Sequence, residues 1–464
     1  MTMKLIAVAI LGALAASTQA QAQTPTVQEL QQALAQAQKA AADATQAAQQ
    51  AMKALEQIQK ATTEAKAAQA DMAKTTVQIT QTTNAASAKG KSEEGLAYRN
   101  GGDMIRIYGL IDLSVSRKNN ADTKGNSLTD MSVAWFSGNR WGIEGEHALP
   151  NTDGLKAIFK LESEYELPTG NFDAAGTLFN RDAWLGMQSE SLGKLTFGRQ
   201  NTLPREFSKT YGDAYGSAGV TLDEGGWTNN NNFKQLIFYA GSPTSTRYDR
   251  GIVWKKDIGG IVFGAAYQFG NVGGAGGAPA DPANPSYGSS KALALAYNGG
   301  AFNVSGYYSS ANVNGLKDTS FSLGGNYRFG IVRLNTGYFS YKAEQPVKFG
   351  DRSDKAYTVS AIIVPSGPFD YQIGWQTMNA NNAVVSSPTG FVPNAFAAIS
   401  TAASAITATG KRKTFYGSAF YHYDKRTELY FALDHLTTDG TYRASQAKGF
   451  MSQSEYATGM RFRF

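Results

Sequence analysis

The stretch Ile105-Arg106-Ile107-Tyr108-Gly109-Leu110-Ile111-Asp112-Leu113-Ser114-Val115-Ser116 decides how this chain is read. Ile105, Ile107, Ile111, Leu113 and Val115 fall on odd positions, and Arg106, Asp112, Ser114 and Ser116 on even ones. A period of two places the apolar set on one face of a β-strand and the polar set on the other. The C-terminus repeats the pattern: Tyr456, Met460, Phe462 and Phe464 share a face, opposite Arg461 and Arg463. The run Leu155 to Glu162 alternates as well.

Between these ends, sixteen candidate strands start near residues 104, 132, 155, 177, 193, 246, 260, 289, 301, 319, 331, 354, 367, 412, 426 and 453. Tight connections such as Gly259-Gly260, Phe329-Gly330, Ser366-Gly367 and Asp424-Lys425-Arg426 alternate with long polar ones at 117–131, 201–245, 271–288 and 379–411. Strands of this kind, joined alternately by short turns and long loops, predict a closed antiparallel barrel with lipid outside and water inside. Lipid cannot satisfy an open backbone edge, so the sheet must close. The expected fold is an all-β, 16-stranded antiparallel transmembrane β-barrel over 103–464, preceded by a long α-helical coiled coil.

Composition agrees. Charged residues make up 17% of the chain, against about 25% in an ordinary soluble protein. There is no cysteine, which excludes disulfides, cysteine zinc sites and thiol chemistry. His147, His422 and His435 sit in no recognisable motif, and neither G-x-S-x-G nor H-E-x-x-H occurs. We therefore expect no enzyme activity, no metal and no cofactor. The net charge of +6 is spread along the chain, which offers nucleic acid no patch. No run of 18 apolar residues could form a membrane-spanning helix.

Residues 1–22 have a basic start, an apolar run and small-x-small cleavage options, the pattern of a signal peptide. From 23 to 90 a seven-residue beat runs through Val27, Leu30, Leu34, Leu55, Ile58, Met72 and Ile79. So narrow a seam asks for a partner helix and predicts a coiled coil. Residues 91–102 read as a linker.

The segments Ile107 to Asp112, Asn139 to Gly145, Gly154 to Glu162, Leu178 to Arg181, Leu195 to Gln200 and Lys425 to Tyr430 together resemble Gram-negative general porins, the betaproteobacterial branch especially. Phe464 matches that family's assembly terminus. The resemblance covers about 103–464 and not 23–101, although some sugar-specific porins carry a similar extension. It implies a homotrimer among outer-membrane lipids, with the N-terminal extension in the periplasm. It also implies passive diffusion of small hydrophilic solutes and ions.

In that family a basic wall faces an infolded loop. The resemblance carries the wall onto Arg140, Arg181 and Arg247, with Arg199 and Lys160 as weaker additions. The loop falls at 201–245, with Asp213, Asp223 and Glu224 as its acidic side. Parity agrees for Arg140, since Trp141 and Ile143 face the other way. It leaves Arg181 open, because Trp184 and Leu185 are both apolar. An inward arginine has a second reading, as the partner of an inward carboxylate such as Glu144, Glu162 or Glu164. Basic residues only slightly outnumber acidic ones after residue 101, so the expected anion preference is mild. The alternative reading is an outer-membrane anchor, or a substrate-specific porin such as one for sugars, whose coiled coil tethers the membrane to peptidoglycan.

Overall fold

The computed structural model describes residues 96–464 apart from 134, 231 and 271–283. The expected signal peptide and coiled coil, Val27 to Ile79 included, lie outside the described residues. The strands are β1 (Leu96–Asn100), β2 (Asp103–Lys118), β3 (Leu128–Val133), β4 (Arg140–Ala148), β5 (Lys156–Glu164), β6 (Asp182–Ser189), β7 (Gly193–Asn201), β8 (Arg247–Ile258) and β9 (Ile261–Gln268). They continue as β10 (Ser290–Gly299), β11 (Phe302–Val313), β12 (Leu316–Phe329), β13 (Val332–Ala343), β14 (Arg352–Ile363), β15 (Phe369–Val385), β16 (Ile406–His422), β17 (Thr427–Thr438) and β18 (Ser452–Arg463). A helix, α1 (Leu203–Gly212), and a 3-10 turn (Lys234–Ala240) lie between β7 and β8.

All pairings between strands are antiparallel, and β18 returns to β2 with Arg461 opposite Asp112. β3 and β4 are two halves of one stave, since β2 pairs with β3 through Leu113–Lys118 and with β4 through Asp103–Leu110. The closed ring therefore has sixteen staves, as the alternation predicted.

Directly opposite residues share a face. Leu293, Tyr308 and Phe321 lie opposite one another across β10, β11 and β12 and are exposed. One residue along, Ala292, Ser309 and Ser320 form the next row and are buried. The outer face is thus apolar and the inner face small or polar. Seven short turns lie on one rim, and the long connections lie on the other. One connection breaks the expected alternation: β11 and β12 meet through Asn314-Gly315 on the long-loop rim. Both residues have positive φ, 53° and 91°, as a two-residue hairpin turn of this hand requires.

Two further expectations need correction. The stave expected from 132 is interrupted, because Trp135 and Phe136 fold into the lumen. The Phe136 ring lies 4.7 Å from both Phe420 and Tyr430. The Asp112 carboxylate accepts from the backbone N–H groups of Phe136 (3.0 Å) and Ser137 (2.8 Å) and from the Tyr430 hydroxyl (2.6 Å). These contacts replace the ladder bonds lost there. The second correction is that part of the expected linker is the strand β1. β18 ends beside Gly109, which leaves the lower edge of β2 without a neighbour. β1 covers it, with Leu96 opposite Ile107 and Asn100 opposite Asp103.

The described residues of the segment 202–246 fold back inside the barrel. The Thr202 hydroxyl caps α1 by accepting from the Arg205 N–H (3.3 Å), with Pro204 in the first turn. Leu203, Phe207 and Tyr211 recur every four residues and make one helical face. That face packs on Val262, Ala292, Ala294 and Phe339 of β9, β10 and β13. Small residues shape the seat: a Cβ on Gly264 would come within 2.6 Å of Leu203, and Gly324 and Gly337 both lie against the Tyr211 ring.

Candidate pore constriction

With α1 seated on β9–β14, the remaining open space follows the opposite wall. A cavity of about 340 Å³ lies between β2–β7 and the loop residues Asp223, Glu224, Gly225 and Gly226. Arg106, Arg140, Lys160, Arg181 and Lys194 line it from the wall.

The loop is tied on both sides. Glu206 of α1 accepts from Lys209 Nζ (3.0 Å), Asn201 Nδ2 (2.8 Å) and the Gly225 N–H (3.1 Å). Glu224 faces the wall, with its Oε2 3.2 Å from Lys160 Nζ. Burial alone would push the Glu224 carboxyl up, but Lys160, with Lys194 and Lys255, holds it below the usual carboxylate range. Lys160 Nζ also lies 2.8 Å from Asp182 and 3.6 Å from Glu162, and the Tyr108 hydroxyl donates to Glu162 (2.7 Å).

The expected basic wall divides into three kinds of residue. Arg181 lies just before β6 rather than in it, and pairs with both Glu162 and Glu164. Lys160 is surrounded by three carboxylates. Both are therefore largely neutralised. Arg140 differs: its Nε donates to the Gly138 carbonyl (2.9 Å), and no carboxylate comes within ion-pair distance among the described residues. Its guanidinium lies 3.6 Å from the point a Cβ on Gly226 would occupy. Arg247 is buried, and its Nε and Nη2 find no acceptor, but it does not line the cavity.

Arg199 is misplaced by the expectation. It lies opposite Ala183, one outward pair along from Leu185 and Phe197, and both of those side chains are exposed. It therefore faces out and pairs with Asp249. On the loop, Asp223 and Glu224 reach the cavity, whereas Asp213 does not. The Asp213 carboxylate instead accepts from the Thr228 N–H (2.5 Å), the Thr228 hydroxyl (2.9 Å) and the Tyr215 N–H (2.9 Å). It fixes the loop's shape rather than its charge.

Sequence reasoning did not single out Arg106, Lys194 or Trp184. Arg106 pairs with Glu144 at 2.5 Å, and its even position in the opening strand already pointed inward. Lys194 Nζ sits 4.7 Å over the Trp184 ring, a contact that depends on a register no parity count supplies. At the other end of the fold, the Phe464 backbone exchanges both hydrogen bonds with Gly109 (2.9 and 3.1 Å), and the Phe464 ring occupies the space of the missing Gly109 side chain.

Comparison with known proteins agrees with this architecture. The profile of the Gram-negative porin family matches residues 61–441. An outer membrane porin protein of Bordetella pertussis is 29% identical over 361 residues, which span 70% of this chain and 87% of that protein. Among solved structures, the anion-selective porin from Comamonas acidovorans is similar at a TM-score of 0.58 and 21% identity, covering 78% of this chain and 100% of that one. OmpT of Vibrio cholerae is similar at 0.53 and 12% identity, covering 79% of this chain and 100% of that one. A closed sixteen-stave barrel with an infolded loop, matched over most of its length, places this outer-membrane chain in the Gram-negative porin family.

Proposed function

We propose that the barrel passes small hydrophilic solutes and ions by passive diffusion with a mild preference for anions, and that Arg140 carries that preference. The observation behind this is the uneven pairing of the wall. Arg181 and Lys160 are matched by Glu162, Glu164, Asp182 and Glu224, while Arg140 points at Gly226 with no carboxylate partner among the described residues. Charges fixed in a narrow, partly desolvated passage select ions by sign. The guanidinium suits this role because it stays charged at any working pH. The Comamonas relative is described as anion-selective, which supports the same sign. Reversal potentials across planar bilayers under a KCl gradient test the proposal: mild anion selectivity is expected, and strong cation selectivity would overturn it.

The finer reading is a homotrimer whose short-turn rim and N-terminal extension face the periplasm. There the segment 23–90 zips three chains together or reaches the cell wall. Deleting 23–90 and still recovering heat-stable trimers would remove the first role and leave the second. The anchor reading draws on the inward folding of Phe136, Phe396 and Tyr442, which narrows the lumen. Single-channel recordings decide between them, since an anchor with a blocked lumen passes no current.

A further inference from the structure

The cavity wall holds a corner whose hydrogen-bond donors are not matched by acceptors. Lys194 of β7 lies directly opposite Lys255 of β8, so two ammonium groups share one inward row. Lys255 is 3% exposed and its Nζ finds no acceptor. Trp184, on the neighbouring stave and directly opposite Lys160, is 7% exposed, and its indole N–H also lacks an acceptor. Lys194 Nζ lies 4.7 Å over the Trp184 ring, close enough for a cation–π contact. The carboxylates nearest this corner are already engaged: Glu206 by Lys209 and Asn201, and Glu224 by Lys160. Trp184 and Lys194 line the 340 Å³ cavity, while Lys194 and Lys255 both line a smaller void beside it.

Buried donors of this kind are costly unless an acceptor arrives. A carboxylate would supply one, and its charge would offset the repulsion between the two lysines. A flat apolar body on that carboxylate would have an aromatic surface to rest on, since Trp184 and Tyr108 both line the cavity. We propose that the Trp184–Lys194–Lys255 corner is a binding site for small aryl carboxylates in transit through the barrel. This inference rests on the reading of the barrel as an open, anion-tolerant channel and names a solute class for it. The carboxylate faces Lys194 from the cavity, with the Lys255 charge directly behind it in the same row, and the ring faces Trp184.

The test uses the purified full-length protein in planar bilayers, with chloride current recorded as benzoate is added and acetate run in parallel. Benzoate is expected to reduce the current with a saturating dose dependence, and acetate at equal concentration to do far less. Lys194→Gln and Trp184→Leu are each expected to raise the half-blocking concentration about tenfold. Lys194→Arg and Trp184→Phe, which keep the charge and the ring, are expected to restore block. Wild-type current that is indifferent to benzoate, or equal block in wild type, Lys194→Gln and Trp184→Leu, would overturn the site. The KCl reversal potential without benzoate reports the anion preference separately, so failure of the site and failure of the channel reading give different results.

Discussion

Replacing Tyr211 with alanine should unseat the constriction helix while leaving the barrel intact. Tyr211 is fully buried, its ring lies against Gly324 and Gly337 and 5.8 Å from Phe339, and its hydroxyl is 2.7 Å from Ser322 Oγ. Truncating a buried aromatic costs about 3–5 kcal/mol, and the lost hydrogen bond about 1 kcal/mol more. At about 1.4 kcal/mol per decade, the equilibrium between seated and unseated α1 shifts by roughly three to four orders of magnitude. None of this touches the ladder that closes the ring between β18 and β2. Single-channel recording should therefore show larger and noisier current in Tyr211→Ala, while heat-modifiable gel mobility stays near wild type. Tyr211→Phe loses only the hydroxyl and should stay close to wild type in both assays. Quiet, wild-type conductance from Tyr211→Ala would refute the idea that this ring holds the loop in the lumen.

Gly109→Leu should impair closure at the C-terminal end, because the Phe464 ring fills the space where the new side chain would go; a lower unfolding temperature on heat-modifiability gels would register it, and an unchanged one would contradict it. Ion selectivity should weaken between 0.1 and 1 M salt as the screening length falls from about 10 Å to about 3 Å, and selectivity that persists at 1 M would mean the charges act at direct contact. Burial, with Asp173 nearby, raises the Glu166 carboxyl on the β5–β6 loop to about 7. A raised acid binds more protons folded than unfolded, so its contribution to stability falls as pH rises from about 4.5 to about 7. Over the same step the long-loop mouth gains a negative charge. Anion preference should fall through pH 7 in the wild type and lose that inflection in Glu166→Gln; the same inflection in both proteins would assign it elsewhere.

Much of the barrel was legible because lipid and water impose opposite demands on alternate residues. Ile105 and Ile107 had to face out once Arg106 and Asp112 faced in, and fourteen of the sixteen expected strand starts lie within four residues of an observed strand start, the other two within six. What parity does not encode is where the chain leaves the wall. Trp135 and Phe136 look like a continuing apolar strand, yet their rings find a larger apolar surface inside, at Phe420 and Tyr430, than a strand position would give them. Arg181 could be assigned a role only with its partners, since a guanidinium between Glu162 and Glu164 carries little net field. The charge of Asp213 says little about its role, because its three hydrogen bonds decide what it does. Arg199 shares parity with Phe197, whose outward face places it on the outside of the barrel.

The overall charge surplus is the wrong quantity for predicting selectivity here, because the lumen is filled unevenly. α1 covers β9–β14, Phe396 packs against Tyr341 at a centroid distance of 5.3 Å, and Phe136 packs against β16 and β17. Charges on that side face protein. Arg333 of β13 is buried and donates to the Gly216 carbonyl at 2.5 Å, so its field is spent on the loop. Arg140 faces the cavity, where a passing ion replaces protein as its neighbour. Two substitutions that remove the same formal charge should therefore differ in outcome. Arg140→Gln should move the KCl reversal potential toward the non-selective value, and Arg333→Gln should leave it where it was. Equal shifts from the two variants would mean that ions sample the whole bore and that the permeation path is not confined to the β2–β7 wall.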